Sequence, residues 1–312
     1  MMKYALKRIL QLIPILFAIT FLSFGMMRLA GSDVVEQKML NTGAAVSQQV
    51  VENAKKELGL DKPFLVQYFT WLSNLLKGDM GNSYLSGKSV FDTFISKLPA
   101  TLLLALVSIV LTIIISIPLG IVSAVYQNKV VDYIIRFFSF LGNSMPNFFV
   151  SLVLIYILAI KLKLFPVLSN SISVKTVVLP ALTLAIAMSA KYLRQVRATV
   201  LDELSKDYIL GAKARGVKYS TTLFKSVLRA CMVTIITLLA ISIGSLLGGT
   251  AIVESIFIWD GVGKLAVDSI NMRDYPMIQA YVMWMAIIYV LVNLIADLSY
   301  RFLDPRIRLG VK

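Results

Sequence analysis

Apolar runs long enough to cross a bilayer recur along this chain, and they restrict its fold more than any other feature. A hydrocarbon core is crossed by about 20 mostly apolar residues in a helix, and roughly six segments meet or approach that length. They are residues 9–27, 101–126, 137–160, 177–190, 233–253 and 277–296, of which the fourth is the shortest. Composition agrees, since 58% hydrophobic and 15% charged residues fall outside the range of water-soluble domains. The expected fold class is therefore all-α and membrane-embedded. Lys3, Lys7 and Arg8 precede the first run as they would in a secretory signal. That run exceeds the usual signal core and no A-x-A site follows it, so a retained helix is expected.

Charge then orients the helices. The chain carries 31 Lys and Arg against 17 Asp and Glu, a net of +14. Nucleic acid is a poor match for these cations, because they are interleaved with apolar runs and form no continuous basic arm. Short cytoplasmic loops are enriched in Lys and Arg. With the N-terminus inside, the cytoplasmic pieces hold Lys3, Lys7 and Arg8, then Lys129 and Arg136, then nine cations within 191–229, then Arg301, Arg306, Arg308 and Lys312. The external stretch 31–98 is balanced, with seven cations and seven acids. Both termini are thus expected in the cytoplasm. The implied organisation is an N-terminal end and first span (1–30), an external region (31–98), a five-helix core with a cytoplasmic loop at 191–229 (99–302) and a tail (303–312).

The absence of histidine and the single Cys231 exclude an intrachain disulfide, a Cys/His zinc site, a His general base and a Cys–His nucleophile. A catalytic role is not expected. Gly87-Lys88-Ser89 resembles the end of a phosphate-binding loop, but Asn82 stands where its first glycine belongs and no buried strand precedes it. In the external region, 47–60 reads as an amphipathic helix, Asp61-Lys62-Pro63 as a turn, and Leu65, Tyr68, Phe69, Leu72, Leu75 and Leu76 as a second amphipathic helix. The second is either an interfacial helix on the outer leaflet or part of a small packed subdomain. Gly244 and Gly248 permit close helix approach, and Pro14, Pro118, Pro146 and Pro180 permit kinks. Arg28 and Asp297 read as interfacial anchors, and the scattered methionines as lipid-facing or packing residues. Asn143, Asn147 and Asn293 are candidates for polar groups facing a channel, with interhelical hydrogen bonding the alternative.

The loop 191–229 is the most informative polar stretch. Ser205 fits an N-cap and Asp207 the first turn of a short helix, where a carboxylate meets the positive end of the helix dipole. Gly216 can take a positive φ and allow a sharp turn before a second short helix ending near Arg229. This loop resembles the EAA loop of ABC importer permeases, in which three residues, three variable ones and a glycine are followed by a leucine. Leu210-Gly211-Ala212, Gly216 and Leu228 stand at those positions. Leu210, Gly211 and Arg229 depart from the generic Glu, Ala and Pro, yet Asp207, Tyr208, Ala212, Ala214, Gly216, Leu228 and Arg229 fit the form D-Y-x-x-x-A-x-A-x-G and L-R-x-A of the peptide and nickel branch, with Ala230 at the variable position and Cys231 where that form has alanine. A proline usual shortly afterwards is Thr234.

Other segments extend the likeness over nearly the whole chain. LGLDKPFLVQY (58–68), KGDMGNSY (77–84), LPATL (98–102), IPLGI (117–121), DYPMIQAY (274–281) and LDPRIR (303–308) are similar to dipeptide, oligopeptide and nickel permeases. MRLAGSD (27–33), FLGNSMPNF (140–148) and GGTAIVESIF (248–257) look closest to nickel members. The resemblance implies a type I ABC importer permease fold and a multi-pass, bacterial-type cytoplasmic-membrane location. It implies as partners a second related permease, two ABC ATPases and an extracellular solute-binding protein, besides the lipid bilayer. ATP and Mg would be held by the ATPases, and no cofactor is expected in this chain. The coupling residues it implies are Asp207, Leu210, Gly211, Ala212, Arg215, Gly216 and Leu228; the cations Lys213, Arg215 and Lys218 are expected to tune the contact with the partner. The cargo implied is nickel, as a chelate because histidine is absent, or a di- or oligopeptide. The alternative function is an ATP-independent channel or secondary transporter, which often shows inverted repeats or a midplane carboxylate.

Overall fold

The computed structural model describes residues 2–29, 52, 53, 56, 61–168 and 172–303. With no water in the hydrocarbon core, backbone polar groups must be satisfied within each apolar segment, which favours helix. Accordingly the regular elements are helices, and the only strand-like feature among the described residues is an isolated antiparallel bridge between Asn82 and Ser89. In chain order they are α1 (Met2–Leu29), α2 (Phe64–Leu76), α3 (Val90–Val125), α4 (Val130–Ser144) and α5 (Asn147–Leu154), the last running on as a π-helix over Ile155–Lys161. There follow α6 (Val174–Leu204), α7 (Asp207–Ala214), a helical turn Tyr219–Thr221 with π-helical Thr222–Val227, then α8 (Leu228–Ile256), α9 (Val262–Asn271) and α10 (Tyr275–Leu303).

Among the described residues, α3, α6 and the Tyr275–Ile295 part of α10 are long and apolar enough to cross a membrane. A fourth span results if α4 and Asn147–Lys161 count as one bent pair, and α1 supplies the shorter apolar helix Ile13–Leu29. Two expected spans change shape. The third, 137–160, is not one straight helix, because α4 and the segment after it meet at 108°. Pro146 has no N–H to continue the helix and pushes Met145 out of the α region, to φ −88° and ψ 131°. The fourth, 177–190, was set short by its apolar run, yet α6 continues 14 residues further. The cations of that extension leave one face free for Tyr192, Leu193, Val196 and Val200, all buried. The expected helix 47–60 lies outside the described residues apart from 52, 53 and 56, and Gly244, Gly248, Asp297 and the tail lie outside those whose surroundings are described.

One compact unit comprises Met1–Pro99 and Gly261–Val290. Pro63 precedes α2, and the apolar spacing of α2 buries Tyr68 completely. Its ring stands edge-on to Phe17, Phe21 and Phe24 of α1 at 5.8, 5.1 and 5.6 Å, and its hydroxyl lies 3.0 Å from Thr20 Oγ1. These partners lie well inside the first apolar run, so α2 is docked against the body of α1 and not only over its end. Leu65, Val66, Phe69 and Leu76 remain exposed on the other side. One face of this amphipathic helix is thus packed on α1 and the other is exposed. In the loop that follows, Ser83 N donates to Lys88 O at 2.9 Å and Gly87 N to Ser83 O at 3.0 Å. Gly87-Lys88-Ser89 therefore closes a tight turn whose amides point inward, and Asp274 anchors that turn by accepting from Ser83 Oγ and Tyr84 N.

The other unit comprises Ala100–Asp260 and Leu291–Lys312. Along α3, Thr101, Ala105, Ser108, Thr112, Ser116, Gly120 and Ser123 are buried at helical spacing, a stripe of small residues that also takes in the fully buried Leu104. In lipid such residues let helix backbones approach closely, which is what holds helices together there. At Gly120 the approach to α6 is extreme: an added Cβ would stand 2.7 Å from Val196 Cγ1 and 3.0 Å from Leu193 O. α4 lies against α6 as well, with Ser139 Oγ donating to Ala190 O at 2.7 Å. At the opposite end of α3, Thr101 Oγ1 donates to the fully buried Glu254 at 2.8 Å, and Trp259 Nε1 donates to Ala100 O at 3.0 Å. Gly120→Val should cost about 1–3 kcal/mol through overpacking. We expect it to lower the detergent-solubilised thermal midpoint and the folded yield, whereas Gly211→Ala, with no neighbour within 4 Å of the added Cβ, should leave both unchanged.

Candidate coupling loop

The loop begins where α6 stops. Ser205 ends α6 and does not cap α7 as its sequence position led us to expect: its Oγ donates back to Asp202 O at 2.7 Å. The residue before α7 is Lys206, which has extended backbone and no side-chain cap. The reason lies one turn back, at Glu203. This buried carboxylate accepts from Lys206 Nζ and from Tyr208 Oη, the latter at 2.9 Å. It thereby draws the first residues of α7 onto the end of α6. Burial, and next the hydrogen bond to Glu203, push the Tyr208 phenol up to about 12, so it remains a donor at any physiological pH. Asp207 sits exposed in the first turn of α7, where its charge complements the helix dipole.

α7 presents two faces. Ala212 is buried, and Ile209 packs on the cluster of Val196, Val200, Leu223, Val227 and Cys231. Leu210 is 65% exposed on the opposite side. Gly211 is half-buried with open space around it. The helix ends in a defined hydrogen-bond pattern: Gly216 N donates to Lys213 O at 3.0 Å and Val217 N to Ala212 O at 3.1 Å. With Gly216 at φ +74°, this is the Schellman termination, in which a left-handed residue after the helix lets the next two amides satisfy its last carbonyls. Arg215, immediately before it, is exposed. Leu228 points the other way, packing half-buried on the same apolar cluster as Ile209. Of the residues expected to act together, Leu210, Arg215 and Gly216 therefore share the outer surface, while Ala212 and Leu228 fasten the loop from beneath.

The outer surface extends beyond those residues. Phe224, 65% exposed, and Tyr219 and Val217 place apolar groups beside Lys213, Lys218 and Lys225. In sequence Phe224 is only one apolar residue in a basic stretch, and its exposure follows from the turn set by Gly216 and the π-helical segment behind it. Sequence reasoning also missed Glu203, whose role depends on the fold returning Lys206 and Tyr208 to it. A second buried carboxylate, Asp132, receives Arg197 of α6 in a two-pronged ion pair, Nε at 2.9 Å and Nη2 at 2.8 Å.

The polar groups proposed for a channel are less gathered. Asn143 is exposed at the end of α4 and Asn147 half-buried at the start of α5, so the two flank the 108° bend. Asn293 is half-buried on α10, and no hydrogen bond joins the three among the described residues. Cys231 is buried and free, and among the described residues no three His, Cys, Asp or Glu side chains gather as metal ligands.

Comparison with known proteins identifies the family of the chain. Residues 116–309 match the family described as binding-protein-dependent transport system inner membrane component, and residues 1–105 match its N-terminal component. The oligopeptide transport system permease protein AppB of Bacillus subtilis (strain 168) is 41% identical, covering 98% of this chain and 99% of its own length. The glutathione transport system permease protein GsiC of Escherichia coli (strain K12) is 36% identical over 99% of both. Among solved structures, the inward-facing MetNI methionine ABC transporter aligns with TM-score 0.57 and 14% identity, over 69% of this chain and 97% of that one. An amino acid ABC transporter with histidines aligns with TM-score 0.53 and 17% identity, over 68% and 94%. The fold is that of type I ABC importer permeases. The chain belongs to the binding-protein-dependent transport system inner membrane component family, and is a non-catalytic, multi-pass permease subunit of an ABC importer in the inner membrane.

Proposed function

We propose that this chain and a second, related permease line a channel for peptide-class solutes delivered by an extracellular binding protein, and that two ABC ATPases drive it through the loop 207–228. The observation that carries the coupling role is the outward presentation of Leu210 and Arg215 beside a glycine-closed helix end, over a base pinned by Ala212 and Leu228. A loop fastened at its base and exposed at its tip transmits a push, where a flexible loop would absorb it. Closure of the ATPases on ATP displaces α7; α6 and α8, the helices on either side of it, then switch the channel from inward-open to outward-open. The mixed apolar and cationic surface fits a partner cleft that is apolar at its centre with acidic groups at its rim. ATP and Mg belong to the ATPases in this scheme, and Asn143, Asn147 and Asn293 are the candidate channel-facing groups.

The cargo reading rests on the names of the relatives AppB and GsiC, one an oligopeptide and the other a glutathione permease. A second reading, a nickel chelate, is favoured by the segments 27–33, 140–148 and 248–257. Without histidine, stepwise coordination of a bare nickel ion has no imidazole ligands, so such a metal would cross within its chelator. The cognate binding protein, purified without added ligand, should yield short peptides by mass spectrometry; nickel in stoichiometric amount with no peptide would reverse the choice of cargo.

Coupling has its own test. Any L-residue with a bulky side chain at φ +74° is strained by about 1–2 kcal/mol, while Asn tolerates that region. In the reconstituted importer, Gly216→Leu should abolish the stimulation of ATP hydrolysis by loaded binding protein while leaving membrane insertion intact, and Gly216→Asn should retain most of it. Normal stimulation in the Gly216→Leu complex would sink the coupling role. Liposomes containing only the two permeases should show no uptake, and uptake there without ATP would favour an ATP-independent channel or secondary transporter.

A further inference from the structure

We propose that the Asp132–Arg197 ion pair is a positioning clamp that makes α4 move as one body with α6, carrying displacement of the coupling loop to the bend at residues 144–147. The proposal rests on the coupling role of the loop 207–228. Asp132 is fully buried in the first turn of α4, and every partner the structure gives it comes from a different piece of chain. Oδ1 accepts from Ser123 Oγ near the end of α3 and from Arg197 Nε of α6 at 2.9 Å. Oδ2 accepts from the Asn128 amide in the connecting turn at 3.0 Å and from Arg197 Nη2 at 2.8 Å. The carboxylate is thus saturated, and it joins α3, the turn and α4 to α6.

The geometry of the pair decides what it does. Apolar helix contacts slip by small steps at little cost, but a planar guanidinium meeting a carboxylate through two parallel hydrogen bonds fits in one orientation only. A fork of this kind resists shear between α4 and α6. It sits at one end of α4, and the bond from Ser139 to Ala190 fixes the helix again two turns further along. Past Arg197, α6 runs on to Glu203, which grips Tyr208 at the start of α7. An unbroken set of directional bonds therefore runs from the coupling loop through α6 to α4 and ends at the bend flanked by Asn143 and Asn147. Neutralising Arg197 alone would require only a single contact with the carboxylate, and Asp132 supplies far more than that.

The experiment uses the whole importer, with both permeases, both ATPases and loaded binding protein, in liposomes. Spin labels at Phe140→Cys and Asp202→Cys, both exposed positions, are placed in a Cys231→Ala background. With the clamp intact, the distance between them should be the same in nucleotide-free and ATP–vanadate-trapped complexes. In Asp132→Asn the two states should give different distances, and import per ATP hydrolysed should fall about tenfold while basal ATP hydrolysis and the yield of assembled complex hold. Arg197→Lys, which keeps the charge and loses the fork, should give an intermediate import ratio. A distance that changes on trapping in the intact complex overturns the clamp, as does wild-type import per ATP in Asp132→Asn, or a loss of import matched by lost assembly. If neither variant assembles, the distance in the intact complex still decides. Gly216→Leu, assayed alongside, fails or succeeds independently of these distances, which separates an error in the coupling role from an error in the clamp.

Discussion

Lipid tails solvate leucine as well as a protein core does, so helices in a membrane gain little from burying apolar side chains against one another. What remains is close backbone approach, dispersion and directional hydrogen bonds, and the unit built on α3, α4, α6 and α8 depends on these. The small-residue stripe on α3 is the first condition. Gly120 admits α6 to a distance that a single methyl group would forbid. Gly142 does a milder version of the same on α4, where an added Cβ would stand 3.4 Å from Ala190. Once α6 is held by both neighbours, its cationic extension can leave the apolar region without fraying, because Tyr192, Leu193, Val196 and Val200 remain covered. The coupling loop inherits its position from that extension.

Close approach brings polar groups out of water, and the same structure shows how each is accommodated. A buried carboxylate without partners is costly enough that it would be neutralised. Asp132 has a guanidinium and two further donors, Glu203 has an ammonium and a phenol, and Glu254 has at least the Thr101 hydroxyl. Two of these three, Asp132 and Glu203, lie on the side that cation counting assigns to the cytoplasm. They join consecutive elements there, whereas the hydroxyls of Ser108, Thr112 and Thr183 return to carbonyls of their own helices. At the end of the unit that would face an ATPase, buried carboxylates thus tie helix junctions together, while the opposite end is tied by Thr101 to Glu254 and by Trp259 to Ala100.

Much of this was legible in the sequence, for identifiable reasons. Apolar length locates helices because the bilayer sets the length, and glycine at 216 marks a left-handed turn because other residues resist it. The bend at Pro146 was legible as a possible kink but not as a 108° change of direction, which depends on what α4 and α5 pack against. The length of α6 was hidden because its cations interrupt the apolar run, although helical burial continues beneath them. The stripe from Thr101 to Ser123 was hidden for the opposite reason: in a helix apolar on all sides, small residues at the interface do not stand out by hydropathy. Ser205 was misassigned as a cap because local chemistry fits equally well at the end of one helix and the start of the next, and the deciding contact, Glu203 with Tyr208, spans the junction.

The candidate coupling surface gains its character from this division of labour. Ala212, Ile209 and Leu228 are spent on fastening the loop to the unit, so the residues left outside are those the interior cannot use: Leu210, Arg215, Val217, Tyr219 and Phe224. Exposed leucine and phenylalanine at two-thirds accessibility are unfavourable in water and, unlike the apolar flanks of the spans, cannot be covered by lipid if they project into the cytoplasm. The helix end beside them is closed by its own hydrogen bonds, from the Gly216 and Val217 amides to Lys213 and Ala212. A partner therefore meets a preformed shape and gains chiefly by covering apolar surface and pairing cations. This makes attachment tolerant of small changes in side chains while keeping the direction of the applied force fixed by the base beneath it.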